Sequence, residues 1–192
     1  MKKYLLCALI ATSSFSTMAE IDPFSYLDFQ AVMSDVERHD TEFTGKMELS
    51  QSFGEHFYGG FQVSGNDSLD IATYGATLGF QQQVYDGKNN NQYLFAEYTW
   101  LDTKIEEQEF SEDKLDFNSS TYKLGLASTY ENLSTKVYVG YQDVYTDKLD
   151  NSWVMGAEVY YQVSEKVSFG VNLQTDGQFD MGQVGLGLRM RF

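Results

Sequence analysis

The feature that most limits what this chain can become is a two-residue alternation that recurs ten times and ends on the final residue. In the last segment Val184, Leu186, Leu188, Met190 and Phe192 alternate with Gly185, Gly187, Arg189 and Arg191. Successive side chains of a strand point to opposite faces, so one face here is apolar and the other holds glycine and two cations. The same pattern marks Leu27, Phe29, Ala31 and Met33, then Phe43, Gly45, Met47, Leu49 and Phe53, then Phe57, Phe61 and Val63. It continues at Tyr74, Ala76, Leu78 and Phe80, at Leu94, Ala96, Tyr98 and Trp100, and at Tyr122, Leu124, Leu126 and Tyr130. Val137, Val139 and Tyr141, then Trp153, Met155, Ala157, Val159 and Tyr161, then Val167, Phe169, Val171 and Leu173 complete the set. Most segments run about 9 to 12 residues, the length a tilted strand needs to cross a hydrocarbon layer.

Residues 1–19 precede this pattern and read as an export signal. Met1-Lys2-Lys3 is basic, Tyr4 to Ala11 is apolar, and Thr17-Met18-Ala19 ends in the small residue that a signal peptidase needs. Cys7 lies inside the apolar stretch, which excludes a lipoprotein site, and its removal leaves no thiol chemistry. The expected organisation is a signal peptide over 1–19 and one domain over 20–192. The formal charge of −15 includes Lys2 and Lys3, so residues 20–192 carry −17. That charge argues against nucleic acid as a partner. No later stretch of about 18 apolar residues exists, so helical spans are excluded.

The connections alternate in length. Gly54-Glu55-His56, Glu131-Asn132-Leu133-Ser134 and Ser164-Glu165-Lys166 are tight, and 86–91 is somewhat longer. The others are more acidic and include the longest, 102–118. Bacterial membrane barrels carry short periplasmic turns and longer outside loops, with an even strand count. Ten strands satisfy this, with eight as the smaller alternative. Under that topology Phe43, Tyr74, Trp100, Tyr122, Tyr141 and Trp153 point outward near the external end. Phe53, Phe57, Phe80, Tyr130, Tyr161 and Phe192 do so near the periplasmic end. Two aromatic girdles suit two lipid–water boundaries, whereas a soluble sandwich would place its aromatics mid-strand.

The signal, the alternating segments and the terminal Gly185-Leu186-Gly187-Leu188-Arg189-Met190-Arg191-Phe192 resemble the small, porin-like outer-membrane β-barrel proteins of Gram-negative bacteria. The resemblance implies an all-β fold, a transmembrane antiparallel up-and-down β-barrel in contact with outer-membrane lipid and lipopolysaccharide. It also implies that Phe192 acts as the signal read by the barrel-assembly machinery.

The inward face holds Asp28, Glu48, Glu97 and Glu158 against Lys46, Lys123, Lys136, Arg189 and Arg191. Charges of both signs in a narrow lumen are expected to pair, because an isolated buried ion is costly. Two readings follow: a lumen plugged by ion pairs, or a narrow channel whose paired charges gate small solutes. Ten strands lie near the size at which side chains fill a barrel. Nine inward glycines (Gly60, Gly75, Gly79, Gly125, Gly140, Gly156, Gly170, Gly185 and Gly187) leave space, or make room for inward Tyr58, Tyr138 and Tyr160. The balance favours a largely filled lumen.

The outer loops concentrate negative charge. Residues 102–118 contain Glu106, Glu107, Glu109, Glu112, Asp113 and Asp116 together with Asp102, and only two lysines. A solvated surface is the ordinary meaning of such a run. Loose binding of divalent cations, or of a basic partner, is the functional alternative. No spacing resembles a dedicated calcium loop, and no other metal site or cofactor is expected. For hydrolase chemistry, His39 beside Asp35, Glu37 and Asp40 lacks a second acidic pair, and His56 lacks a serine in register. The leading expectation is therefore a non-enzymatic barrel, either a narrow small-solute channel or a structural envelope protein. A surface-binding protein acting through the acidic loops comes second, and a barrel hydrolase third.

Overall fold

The computed structural model describes residues 22–36, 42–66, 71–105, 115–146, 150–176 and 181–192. Within them lie ten strands: β1 Tyr26–Val36, β2 Glu42–Phe53, β3 Phe57–Asn66, β4 Ile71–Gly87, β5 Asn90–Ile105, β6 Leu115–Tyr130, β7 Leu133–Val144, β8 Ser152–Gln162, β9 Val167–Asp176 and β10 Met181–Met190. Each pairs antiparallel with its sequence neighbours, and β1 pairs with β10 to close the barrel. The expected ten-stranded up-and-down barrel is the observed fold.

The alternation fixes the register. At the closing seam Leu27, Phe29, Ala31 and Met33 lie opposite Met190, Leu188, Leu186 and Val184, while Asp28 lies opposite Arg189. A slip of one residue would turn every apolar side chain of β1 inward and its charge outward, so burial in lipid specifies the pairing strongly. Closure also leaves no open sheet edge in the hydrocarbon layer, where an unpaired backbone group is costly.

Outside, every strand presents large apolar side chains to the surroundings: Phe61 is 69 % exposed, Phe43 and Leu186 are each 65 % exposed. A water-soluble monomer rarely exposes an apolar patch above a few hundred Å². A belt running round the whole barrel is stable only against lipid. Aromatic side chains border it at both ends. Tyr141 packs edge-on to Trp153 at a centroid distance of 5.4 Å, and Phe57 packs edge-on to Phe80 at 5.7 Å. Ser120 also points outward, yet it is buried beneath the girdle, bonded to the hydroxyls of Tyr98 at 2.9 Å and Tyr145 at 3.1 Å.

Three strands are longer than the apolar pattern suggests. β4 has 17 residues, and β5 and β6 have 16 each. On the periplasmic side β4 and β5 stay paired down to Gly87 opposite Asn90, so only Lys88 and Asn89 form the turn. β3 ends at Phe57 opposite Phe80, and below it β4 continues alongside β5 alone. On the external side Ile105 pairs with Leu115, which shortens the long acidic connection to 106–114. These extensions lie in water, where backbone pairing continues without an apolar face, so the hydropathy pattern stops before the strands do. The tight turns use left-handed backbone at Gly54 (φ 72°) and Glu131 (φ 48°).

Candidate functional site

The lumen is where inward side chains of all ten strands meet. Its chemistry changes along the barrel axis.

The central and periplasmic part is ionic and aromatic. Arg189 donates from Nη2 to Asp28 Oδ2 at 2.8 Å and to Glu158 Oε2 at 2.9 Å, and from Nε to Asp28 Oδ2 at 3.2 Å. Its guanidinium lies between the rings of Tyr26 and Tyr160, 3.8 and 3.7 Å from their centroids. Asp28 is 0 % and Arg189 2 % exposed. A planar cation held by two carboxylates and two ring faces recovers much of the hydration it loses. Tyr160 donates from Oη to Asp28 Oδ2 at 2.6 Å and accepts from Asn172 Nδ2 at 3.0 Å.

Two further ion pairs lie beside this one. Lys46 meets Glu48 at 2.9 Å, and Glu48 also accepts from Tyr26 Oη at 2.7 Å. Lys123 meets Glu97 at 2.8 Å, and Glu97 accepts from Tyr58 Oη at 3.1 Å. Lys136 is held differently. Its Nζ donates to Tyr26 Oη at 3.3 Å and sits 4.8 Å from the ring centroids of both Phe24 and Tyr26. Arg191 stands apart at the periplasmic rim, donating from Nη1 to Gln162 Oε1 at 3.0 Å.

The tyrosines that cross the lumen need glycines opposite them. A Cβ on Gly79 would enter the Tyr58 ring, and one on Gly156 would enter the Tyr138 ring. Small-against-large pairing of this kind lets a narrow barrel hold inward phenols.

At the periplasmic mouth a short segment before β1 turns inward. Phe24, 0 % exposed, stacks on Tyr58 at 4.5 Å and meets Tyr93 and Phe95 edge-on at 6.0 and 5.7 Å. Two hydrogen bonds shape the segment and two more tie it to β2. Asp22 Oδ1 accepts from the Phe24 amide at 2.8 Å, and Asp22 Oδ2 accepts from Ser25 Oγ at 2.7 Å. Ser50 Oγ donates to the Phe24 carbonyl at 2.7 Å, and the Ser52 amide donates to Ser25 Oγ at 3.0 Å. Sequence reasoning missed this segment and its aromatic cage. The signal was parity, since Phe24 and Tyr26 continue the inward series of Asp28 and Gln30, as Tyr93 and Phe95 precede Glu97.

Toward the external end the described inward side chains are mostly amides and hydroxyls. Gln30, Gln62, Gln142, Asn172, Gln174 and Gln183 share it with Thr73, Thr103, Ser119 and Thr121. Thr73 and Thr103 share a hydroxyl hydrogen bond at 3.1 Å, and Tyr138 Oη donates to Gln174 Oε1 at 2.9 Å. Between these walls and the ionic part lies a cavity of about 70 Å³ lined in part by Gln30, Lys46, Tyr138, Glu158, Asn172 and Gln174.

The acidic residues Glu106, Glu107, Glu109, Glu112 and Asp113 lie outside the described residues, as does His39, while Asp116 is on β6 opposite Lys104. Among the described residues no group of three metal-ligating side chains occurs. His56 sits in the β2–β3 turn against Phe80, with ring centroids 5.8 Å apart. Phe192 is 40 % exposed at the periplasmic end.

No protein-family model matches the chain, and neither does any curated protein sequence. Solved structures do resemble it. A KdgM porin in complex with disordered oligogalacturonate superposes with a TM-score of 0.51 at 10 % identity, over 87 % of this chain and 99 % of that one. A NanC porin gives 0.52 at 7 % identity, over 86 % of this chain and all (100 %) of the other. Such distant likeness establishes the shared barrel fold. Together with the apolar belt, that fold makes this chain a transmembrane barrel of the bacterial outer membrane.

Proposed function

We propose that the protein is a non-enzymatic, narrow small-solute channel whose lumen is largely filled in its resting state and opens when the Phe24 segment leaves. The observation that carries this reading is the burial of Phe24 between Tyr58, Tyr93 and Phe95 by a segment that is not part of the barrel wall. A barrel that served only as a scaffold could be filled from its own strands. Here the aromatic that fills the mouth arrives on residues 22–25, which two hydrogen bonds tie to β2. Such a segment can withdraw without breaking any strand pairing. The porin fold of the KdgM and NanC structures supports a channel, and the paired charges of the lumen support a constriction that excludes large solutes. Phe192, apolar and outward at the end of the closing strand, supports recognition by the barrel-assembly machinery.

Planar-bilayer recording of the refolded full chain beside Phe24→Ala tests this reading. The unaltered protein is expected to conduct rarely and the variant to stay open for a larger fraction of the time. Removing the ring also forfeits about 2 kcal/mol of burial, which a urea titration reads. If both proteins fold and neither conducts above background, the channel reading fails and a structural role takes its place.

A further inference from the structure

We infer that Lys136 is the latch of the Phe24 segment, an autoinhibitory contact in which a buried ammonium holds the plug by the face of its ring. As the regulator of a channel it rests on the reading above. As the group that fastens residues 22–25 in the mouth it stands on its own geometry.

Three observations lead there. The first is how the charges are shared out. Lys46 is bound to Glu48, Lys123 to Glu97, and Arg189 to Asp28 and Glu158. Lys136 is 5 % exposed, and no carboxylate among the described residues lies within ion-pair distance of it. Glu158 stands directly across from it on β8, yet that carboxylate bonds Arg189 at 2.9 Å. A buried ammonium needs groups that stand in for its lost water. The second observation is what stands in. Nζ donates to Tyr26 Oη at 3.3 Å and lies 4.8 Å from the ring centroids of both Phe24 and Tyr26. A cation within about 6 Å of a ring face is attracted by the ring quadrupole, most strongly where both are desolvated. Phe24 is 0 % exposed, so this contact is of the strong kind.

The third is placement. Tyr26 Oη donates to Glu48 at 2.7 Å, and the Tyr26 ring carries the Arg189 guanidinium at 3.8 Å, so the phenol that receives Lys136 is itself held. The hydrogen bonds from Ser50 and Ser52 fasten the segment to β2, next to its own strand. Lys136 reaches it from β7, four strands away round the other side of the barrel. The plug is therefore held from both sides of the mouth, and one of the two fastenings is a single side chain. Removing that cation weakens the hold and leaves Tyr58, Tyr93, Phe95 and the ties to β2 in place.

Thiol labelling reads the release directly. The sequence has one cysteine, so Cys7→Ser with Ser25→Cys gives a single-thiol parent whose thiol replaces a side chain 9 % exposed while the segment is bound. In the refolded full chain in detergent with excess maleimide, Lys136→Met is expected to speed labelling at least about fivefold, the scale of a desolvated cation–π contact. Lys136→Arg keeps a cation over the rings and is expected to stay within about twofold of the parent. In a Phe24→Leu background the ring is gone, and Lys136→Met is expected to add less than about twofold, because the two residues act through one contact. Should Lys136→Met fail to show the heat-shifted gel migration of a folded barrel, Lys136→Gln carries the same expectation. Unchanged labelling in the folded variant overturns the inference. So does equal acceleration with and without the Phe24 ring, or acceleration by Lys136→Arg that matches Lys136→Met. Bilayer recording on the same preparations separates the two claims. Faster labelling without conductance keeps the latch and removes the channel; a conducting Phe24→Ala beside unchanged labelling of Lys136→Met does the reverse.

Discussion

Asp28 and Thr103 face one lumen from opposite halves of the barrel, in surroundings of different chemistry. Asp28 is fully buried, bound by Arg189, Tyr160 and Gln30, and roofed by rings. Thr103 shares one hydroxyl bond with Thr73 on a wall of neutral groups. The same ten strands build both halves, so the backbone does not create the contrast. The inward residues do. The lower half, or floor, packs charge against aromatic area, and the upper half, or vestibule, lines its wall with amides and hydroxyls.

The strongest way to break this contrast is to remove the cation that organises the floor. Arg189→Leu removes the guanidinium from the Asp28 and Glu158 carboxylates and leaves Asp28 only the neutral donors Tyr160 and Gln30. Breaking a buried pair from one side costs about 3–5 kcal/mol, because the surviving charge is left uncompensated. Urea unfolding of the refolded variant should show a loss of that size. Adding Asp28→Asn and Glu158→Gln to the variant removes the stranded charges and should restore a large part of the loss. A single variant as stable as the parent would mean that Arg189 is solvated and that the floor is not closed.

How much of this was legible before the structure follows the same division. The outer face was readable because lipid punishes any departure from a two-residue period: Leu186, Leu188 and Phe192 had no alternative orientation. The inward parity of Asp28, Glu158 and Arg189 came with it. Their meeting did not, because Asp28 and Arg189 are 161 residues apart and only the closure of β1 on β10 brings them together. The extra length of β4, β5 and β6 was hidden because stretches such as Gln81-Gln82-Gln83 and Asn90-Asn91 pair without an apolar face. Phe24 was hidden for a different reason: it precedes the first strand, and its parity with Tyr26 and Asp28 was the one local sign that it faces inward.

A second, smaller test lies at the boundary of the two halves. Tyr160 links Asp28 below to Asn172 above through one hydroxyl. Tyr160→Phe keeps the ring against Arg189 and deletes only that oxygen. A hydrogen bond to a charged group contributes about 1.5–3 kcal/mol, so the loss should fall below that of Arg189→Leu but remain easily measured. An undiminished stability would show that water replaces the phenol at Asp28, and the floor would then be wet.

The smallest expected effect decides whether the contrast is real. Thr103→Val removes a hydroxyl of nearly the same volume from the external wall and leaves Thr73 without its partner at 3.1 Å. If the vestibule is hydrated, water takes that place and the loss stays within about 0.5–1 kcal/mol, the net worth of a neutral hydrogen bond. If the upper half were as dry as the floor, the orphaned Thr73 hydroxyl would carry a desolvation cost of about 1–3 kcal/mol. Urea midpoints at unchanged slope distinguish the two, since a constant slope means that the exposed surface of the unfolded chain is the same. A loss near that of Tyr160→Phe would make the lumen uniform along its length, leaving no hydrated vestibule for a solute to enter.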